Sequence, residues 1–200
     1  MIEDKYSAGL VSQSFWFIEF KKIAFMLKEG KNKEEIKKIC LDNNLLGAVK
    51  EYRAKRMYAY IINRINRLDD ELLDLFVCSD LSTQKLINLI CILRGDRLFT
   101  EFLYEVYREK IMLGYTQIED KDLNVFFNDK ANQNEDINSW VDSTKKRLKG
   151  IYVNYMVDAN LLYVENKNKI ITVPIIDTKL ERYLLHNNEE ILLKALTGVR

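Results

Sequence analysis

Apolar residues recur at three- and four-residue spacings along most of this chain, the mark of helices buried along one side. The longest such stripe lies in residues 47–68, where Ala54, Met57, Ile61, Ile65 and Leu68 form a seam. Arg53, Arg56, Tyr60, Asn63 and Arg67 repeat at the same spacing about a third of a turn round. The pattern predicts one long helix, opened by Gly47, with an apolar side and a basic, amide-bearing side.

Upstream, residues 1–13 read as an extended or loosely ordered arm. Ser14 is a candidate N-cap for a helix over 15–29, ended by Gly30, with Phe17, Phe20, Ile23, Ala24 and Leu27 buried. Asn32 and Glu35 have capping-box spacing for a second helix that buries Ile36, Ile39 and Cys40. Three helices in this order, the third long and basic, meet the requirement of a helix-turn-helix.

Residues 70–78 form a short amphipathic helix. Asp80 or Ser82 caps the next, whose seam is Leu86, Leu89, Ile90 and Leu93. Asp96 caps another, with Leu98, Phe99, Phe102, Leu103, Val106 and Ile111 inside and Gly114 at its end. A short helix from Glu119 or Asp120 buries Leu123, Phe126 and Phe127. A long one over 136–158 then carries Ile137, Trp140, Val141, Thr144, Leu148, Ile151 and Tyr155 on its apolar side. Lys145, Lys146 and Lys149 lie on its other side, with Arg147 nearby. Two β-branched runs, 161–164 and 170–173, flank a polar turn containing Lys167 and Lys169 and predict a hairpin that Pro174 stops. Asp177 caps a helix to His186, and Asn188 caps a last one to Gly198.

The fold expected is therefore mainly α, with two helix-turn-helix or winged-helix-like halves around a central helical hub and one C-terminal β-hairpin. The segments are 1–68 (basic, three helices), 69–114 (hub) and 115–200 (winged-helix-like). One Pro and seven Gly in 200 residues fit helices joined by short loops.

The net charge of +1 hides a strong asymmetry. Residues 17–67 hold 13 basic and 6 acidic residues, 68–140 hold 7 and 15, and 141–200 hold 10 and 7. Two basic segments flank an acidic middle, and a basic segment can be the electrostatic footprint of nucleic-acid binding. Cys40, Cys78 and Cys91 are odd in number, widely spaced and set among apolar residues. They read as reduced core thiols rather than a zinc site. No secretory signal or membrane span is expected, which suggests a cytoplasmic protein.

Catalytic chemistry is sparse. His186 is the one histidine, and no P-loop, GxGxxG or HExxH motif occurs. Glu101, Glu105 and Glu109 have a spacing that could hold Mg²⁺, but Arg97, Arg108 and Lys110 beside them favour helix-surface ion pairs. No metal, cofactor or enzymatic activity is expected. Tyr52, Tyr58, Tyr60, Tyr104, Tyr107, Tyr152 and Tyr155 are divided between core and possible base-stacking roles.

The opening Lys5-Tyr6-Ser7-Ala8-Gly9-Leu10 resembles the BrxA family of BREX phage-defence systems. So do the blocks Lys85-Leu86-Ile87-Asn88-Leu89, Asp96-Arg97-Leu98-Phe99, Glu101-Phe102 and Glu105-Val106-Tyr107-Arg108-Glu109-Lys110, and the closing Pro174-Ile175-Ile176-Asp177. The resemblance covers nearly the whole chain. It implies a largely helical, non-enzymatic protein encoded beside a methyltransferase, an AAA+ ATPase and a phosphatase-like factor. It also implies binding to DNA and a partial likeness to the RNA-binding protein NusB. No catalytic residues come with it.

Together these readings lead to an expected DNA-binding component of an antiphage system that contacts duplex DNA with little sequence preference, alongside other BREX subunits. The residues expected to contact nucleic acid are Lys50, Arg53, Arg56, Tyr60, Asn63, Arg64 and Arg67 in the first half. In the second half they are Lys145, Lys146, Lys149, Lys167 and Lys169. The alternatives are a NusB-like RNA-binding module and a protein-interaction scaffold whose acidic middle docks a basic partner.

Overall fold

Phe15 is buried, and its carbonyl accepts hydrogen bonds from Arg64 Nη1 (2.8 Å) and Asn88 Nδ2 (3.0 Å). That tie overrides the helix start that Ser14 invites. In the computed structural model, which describes residues 5–198, the chain instead turns at Trp16 in the left-handed region (φ 45°). Helix α1 then spans Phe17–Lys28. Residues 1–4 of the expected arm lie outside the described residues. The rest of it is not wholly loose: Gly9–Ser12 form a 3₁₀ turn with Leu10 buried.

The chain divides into two compact units, residues 15–92 and, separately, the residues up to Ser14 with those from Leu93 onward. In the first unit α1 ends where expected. Gly30 (φ 88°) donates to Leu27 O and Lys31 to Met26 O, the paired bonds of a Schellman stop, which favours glycine. Helix α2, Lys33–Asp42, begins with the expected capping box: Asn32 Oδ1 accepts from Glu34 N and Glu35 N, and Glu35 reaches back to Asn32 N. Helix α3 covers Glu51–Ile65, starting four residues after Gly47, whose positive φ (64°) belongs to the preceding turn. Helices α4, Asp70–Cys78, and α5, Leu81–Leu93, follow. Asp80 rather than Ser82 caps α5, accepting from Thr83 N at 2.8 Å. The core of this unit joins Phe20, Ile23, Ile36, Ile61, Leu72 and Phe76, with Phe20 and Phe76 edge to face at 5.3 Å. Burying each such side chain stabilises the fold by roughly 1.5–3 kcal/mol. Cys40 and Cys91 are buried as expected, whereas Cys78 is exposed; none of the three forms a disulfide.

The second unit opens at Asp96, whose Oδ1 accepts from Phe99 N. Helix α6, Arg97–Phe102, runs through a π-helical stretch, Leu103–Tyr107, into α7, Arg108–Met112. Strand β1, Gln117–Ile118, was not expected. It is followed by α8, Asp120–Gln133. The single helix expected over 136–158 is two. Helix α9 is Glu135–Ser139, α10 is Asp142–Asp158, and Trp140 and Val141 are extended between them. Ser139 Oγ donates to Asp136 O and closes α9 locally, while an aromatic and a β-branched residue are weak at propagating a helix.

Strands β2, Leu162–Glu165, and β3, Asn168–Ile171, make the expected hairpin. Its turn is only Asn166–Lys167, both at positive φ (49° and 69°), as the type I′ geometry of two-residue hairpins requires. Strand β1 pairs with the far side of β3, Gln117 opposite Ile170 and Ile118 opposite Lys169, so the sheet order is β1-β3-β2, all antiparallel. Helices α11, Thr178–His186, capped by Asp177, and α12, Glu190–Thr197, close the chain. Asn188 does not cap α12; it sits at φ 57° in the connecting turn. The fold is thus mainly helical with one small antiparallel sheet. Among the described residues no helix is long and apolar enough to cross a membrane.

Candidate nucleic-acid interface

Helix α3 turns its basic residues outward with one exception; of its expected seam, Met57 and, past the helix end, Leu68 are only half-buried, and Tyr58, in neither expected stripe, joins the buried set. Ala54, Tyr58, Ile61 and Ile65 are buried. Lys50, Arg53, Arg56 and Asn63 are exposed on the other side. Tyr60 is half-buried, its ring stacked on Trp16 at 6.1 Å. Arg67 is half-buried and donates to Asn63 O at 3.3 Å. The exception is Arg64, expected at the surface and found 2% exposed. At 3.6 residues per turn it sits about 20° from Arg53, on the flank nearest the seam. There its guanidinium lies over the Trp16 ring, 5.5 Å from the centroid, and grips Phe15 O. Arg64 is a strut between α3 and the start of α1, not a surface cation.

The N-terminus of α3 adds backbone donors to this face. Lys50 is its N-cap and makes no side-chain cap bond, although Arg53 N already donates to Lys50 O at 2.9 Å. Such a terminus favours a phosphate. Glu51 in the same turn is engaged by Lys55 at 2.5 Å, which holds its carboxyl below the usual range.

In the other unit, α10 buries Leu148, Tyr152, Tyr155 and Met156. Its exposed face carries Ser143, Lys146, Arg147, Gly150 and Asn154. Of the lysines expected there, only Lys146 is fully exposed. Lys145 is half-buried and donates to Asn138 O at 3.3 Å; Lys149 donates to Asn124 Oδ1 at 2.7 Å and lies over the Phe127 ring. Burial, then the nearby Lys145, lowers the Lys149 pKa against the opposing pull of Asp142. Both side chains are turned toward the preceding helices. Arg147, Ser143 and Asn154 were not among the expected contacts. The signal that could have found them is helical phase: once α10 starts at Asp142, they fall opposite the buried set.

At the hairpin, Lys167 is exposed at the turn. Lys169 is not available in the same way, because it is ion-paired with Asp120 at 2.7 Å. The β1–β3 register explains this: Lys169 lies opposite Ile118, two residues before Asp120. Among the described residues, Lys50, Arg53, Arg56, Lys146, Arg147 and Lys167 make no ion pair, and none of the His, Cys, Asp and Glu side chains cluster as a metal site. Glu101 and Glu105 are engaged by Lys130 at 2.7 and 2.6 Å, and Glu101 also by Arg97.

Comparison with known proteins bears on the chain as a whole. Among solved structures it is similar to an uncharacterized protein from Magnetospirillum magneticum, with a TM-score of 0.80 and 19% identity over 97% of this chain and 99% of that one, a likeness of fold. In sequence it is similar to the BREX protein BrxA of Bacillus cereus (strain H3081.97), 31% identical over 98% of both chains. The model of the BrxA family matches residues 4–188, nearly the full length, and the chain belongs to that family.

Proposed function

We propose that this protein serves as the BrxA component of a BREX phage-defence system and acts there, without catalysis, as a duplex-DNA-binding subunit. The relative's name supplies the BREX setting. The binding reading rests on one observation above the others: two helices in a near-neutral chain each present exposed cations that no carboxylate among the described residues neutralises, Lys50 at the N-cap with Arg53 and Arg56 on α3, and Lys146 and Arg147 on α10. Folded proteins ordinarily intersperse both signs on such faces, and unpaired basic rows are suited to neutralising phosphates.

What supports a winged-helix arrangement in the second unit is its element order. A helix, a short strand, three helices and a hairpin follow one another as α7, β1, α8, α9, α10, β2 and β3, with the hairpin's second strand in the middle of the sheet. In that arrangement α10 enters a groove and Lys167 meets a flanking phosphate. Asn154 and Asn63 are the side chains able to read base edges, and the arginines and lysines position the duplex.

Fluorescence anisotropy with duplex DNA, single-stranded DNA and RNA across a salt series tests this. Duplex binding that weakens steeply with salt, and weakens further in an Arg53→Ala, Arg56→Ala variant on unrelated sequences, is expected. A preference for RNA or single strands would favour the NusB-like reading instead, for which the Trp16–Tyr60 stack beside Arg56 is the supporting feature.

A further inference from the structure

The second unit carries a groove of about 610 Å³ between the π-helical stretch with α7 on one side and α8 on the other. Its floor is Val106, Val125 and Phe126, and Leu113 and Tyr115 stand at one end. Three of these are far more exposed than apolar side chains in a closed core: Leu113 by 71%, Tyr115 by 58% and Val125 by 58%. Contiguous apolar exposure of this kind marks an interaction site rather than scatter.

The rim has a sign. Glu105, Glu109, Glu119, Asp122 and Asp129 line the groove with Lys110, Lys121 and Lys130. Each lysine is already committed within the chain. Lys110 pairs with Asp122 at 2.6 Å, Lys121 with Glu119 at 2.7 Å, and Lys130 with Glu105 at 2.6 Å and Glu101 at 2.7 Å. Among the described residues, no cation pairs with Glu109 or Asp129, and both are exposed. The groove therefore offers an apolar floor and two unanswered carboxylates, one on each wall.

We propose that this groove docks a basic amphipathic helix of a protein partner, its apolar stripe on Val106, Val125 and Leu113 and its lysines or arginines on Glu109 and Asp129. The mode is helix-in-groove recognition, with apolar anchors at i, i+3, i+4 and i+7. The acidic rim repels nucleic acid and so separates this surface from the basic faces of α3 and α10; the inference does not depend on those faces binding DNA. It gives a protein that holds DNA a second, chemically distinct handle for another subunit.

The test uses the full chain and a synthetic leucine–lysine amphipathic peptide of about two heptads, with its leucine–glutamate counterpart as control, followed by anisotropy of labelled peptide. The lysine peptide is expected to bind at least tenfold tighter than the glutamate peptide. Leu113→Asp and Val125→Asp, both at exposed positions that leave the core intact, are expected to weaken it tenfold or more with the circular dichroism spectrum unchanged. Glu109→Lys with Asp129→Lys is expected to reverse the preference, and all these variants are expected to bind duplex DNA no more weakly than the parent. Equal binding of the two peptides, or a preference unmoved by the double charge reversal, overturns the proposal. So does a concentration-dependent dimer that Leu113→Asp dissolves, because the occupant is then a second copy.

Discussion

Arg64 is an interior strut on the helix proposed to bind DNA, and replacing it by alanine has consequences that can be worked out from its contacts. Its guanidinium is 2% exposed, donates to Phe15 O at 2.8 Å and covers the Trp16 ring. A hydrogen bond from a charged donor contributes about 1.5–3 kcal/mol, and a desolvated cation–π contact adds about 0.5–2 kcal/mol. Phe15 O keeps the Asn88 bond, so no carbonyl is orphaned and the low part of that range applies. Arg64→Ala should therefore cost the first unit about 2–4 kcal/mol. With a urea dependence of about 1–3 kcal/mol per molar, the unfolding midpoint falls by on the order of 1 M. Arg53→Ala and Arg56→Ala, both exposed, should stay within about 0.5 kcal/mol of the parent. In DNA titrations below the transition the order reverses. Each exposed arginine on a phosphate contributes about 0.9 to the log–log salt slope, and Arg64 contributes nothing. Trp16 fluorescence in a Trp140→Phe background reports unfolding of the unit that contains Arg64. Should Arg64→Ala unfold with the parent and flatten the salt slope as Arg53→Ala does, the assignment of Arg64 to the interior is refuted.

Other expectations follow from the second unit. Arg94 and Glu189 form a buried pair, Nε to Oε1 at 2.9 Å and Nη2 to Oε2 at 2.5 Å, with Tyr183 Oη beside them. Glu189→Ala leaves the buried guanidinium without its carboxylate, with Tyr183 Oη still accepting from it, and should cost about 3 kcal/mol by thermal unfolding, whereas Arg94→Met with Glu189→Leu should cost much less. Gly150 lies mid-helix on the exposed face of α10, with open space where a side chain would stand. Gly150→Ala should raise helix stability by about 1 kcal/mol, yet weaken duplex binding if the DNA backbone approaches there. Burial alone would raise the Glu101 carboxyl, but hydrogen bonds from Lys130, Arg97 and Tyr6 outweigh it and hold it below its ordinary value of 4.5. The ionised form therefore stabilises the fold fully above pH 4.5, and that contribution is lost as pH falls through the lowered folded value. Glu101→Gln should flatten the acid limb of a melting-temperature profile and leave its slope between pH 6 and 8, as approximate bounds, unchanged.

Local chemistry was legible in the chain. The Asn32–Glu35 capping box, the Asp96 and Asp177 caps and the Gly30 stop each depend on a few neighbouring residues, and each is found where the sequence places it. What escaped was set by distant segments. Ser14 loses its cap because Phe15 is tied to α3 and α5. Arg64 and Arg53 are almost in phase on one helix, and only the arrival of Trp16 buries one and not the other. Strand β1 is two residues long, too short for any alternation to show, yet its register decides that Lys169 meets Asp120. The break at Trp140–Val141 divides α9 from α10. Within α10, burial of Tyr152 and Met156 rather than Thr144 and Ile151 turns the seam, which leaves Lys146, Arg147 and Asn154 exposed and Lys145 and Lys149 on its flank.

The most direct measurement is the salt dependence of duplex binding for the parent and for a variant with Arg53, Arg56, Lys146 and Arg147 replaced by alanine. All four side chains are exposed, so the variant should fold with the parent's circular dichroism spectrum. The account predicts that its log–log slope is shallower by up to about 3–4, with affinity reduced alike on unrelated sequences. A slope and affinity equal to the parent's, in a folded variant, would contradict it.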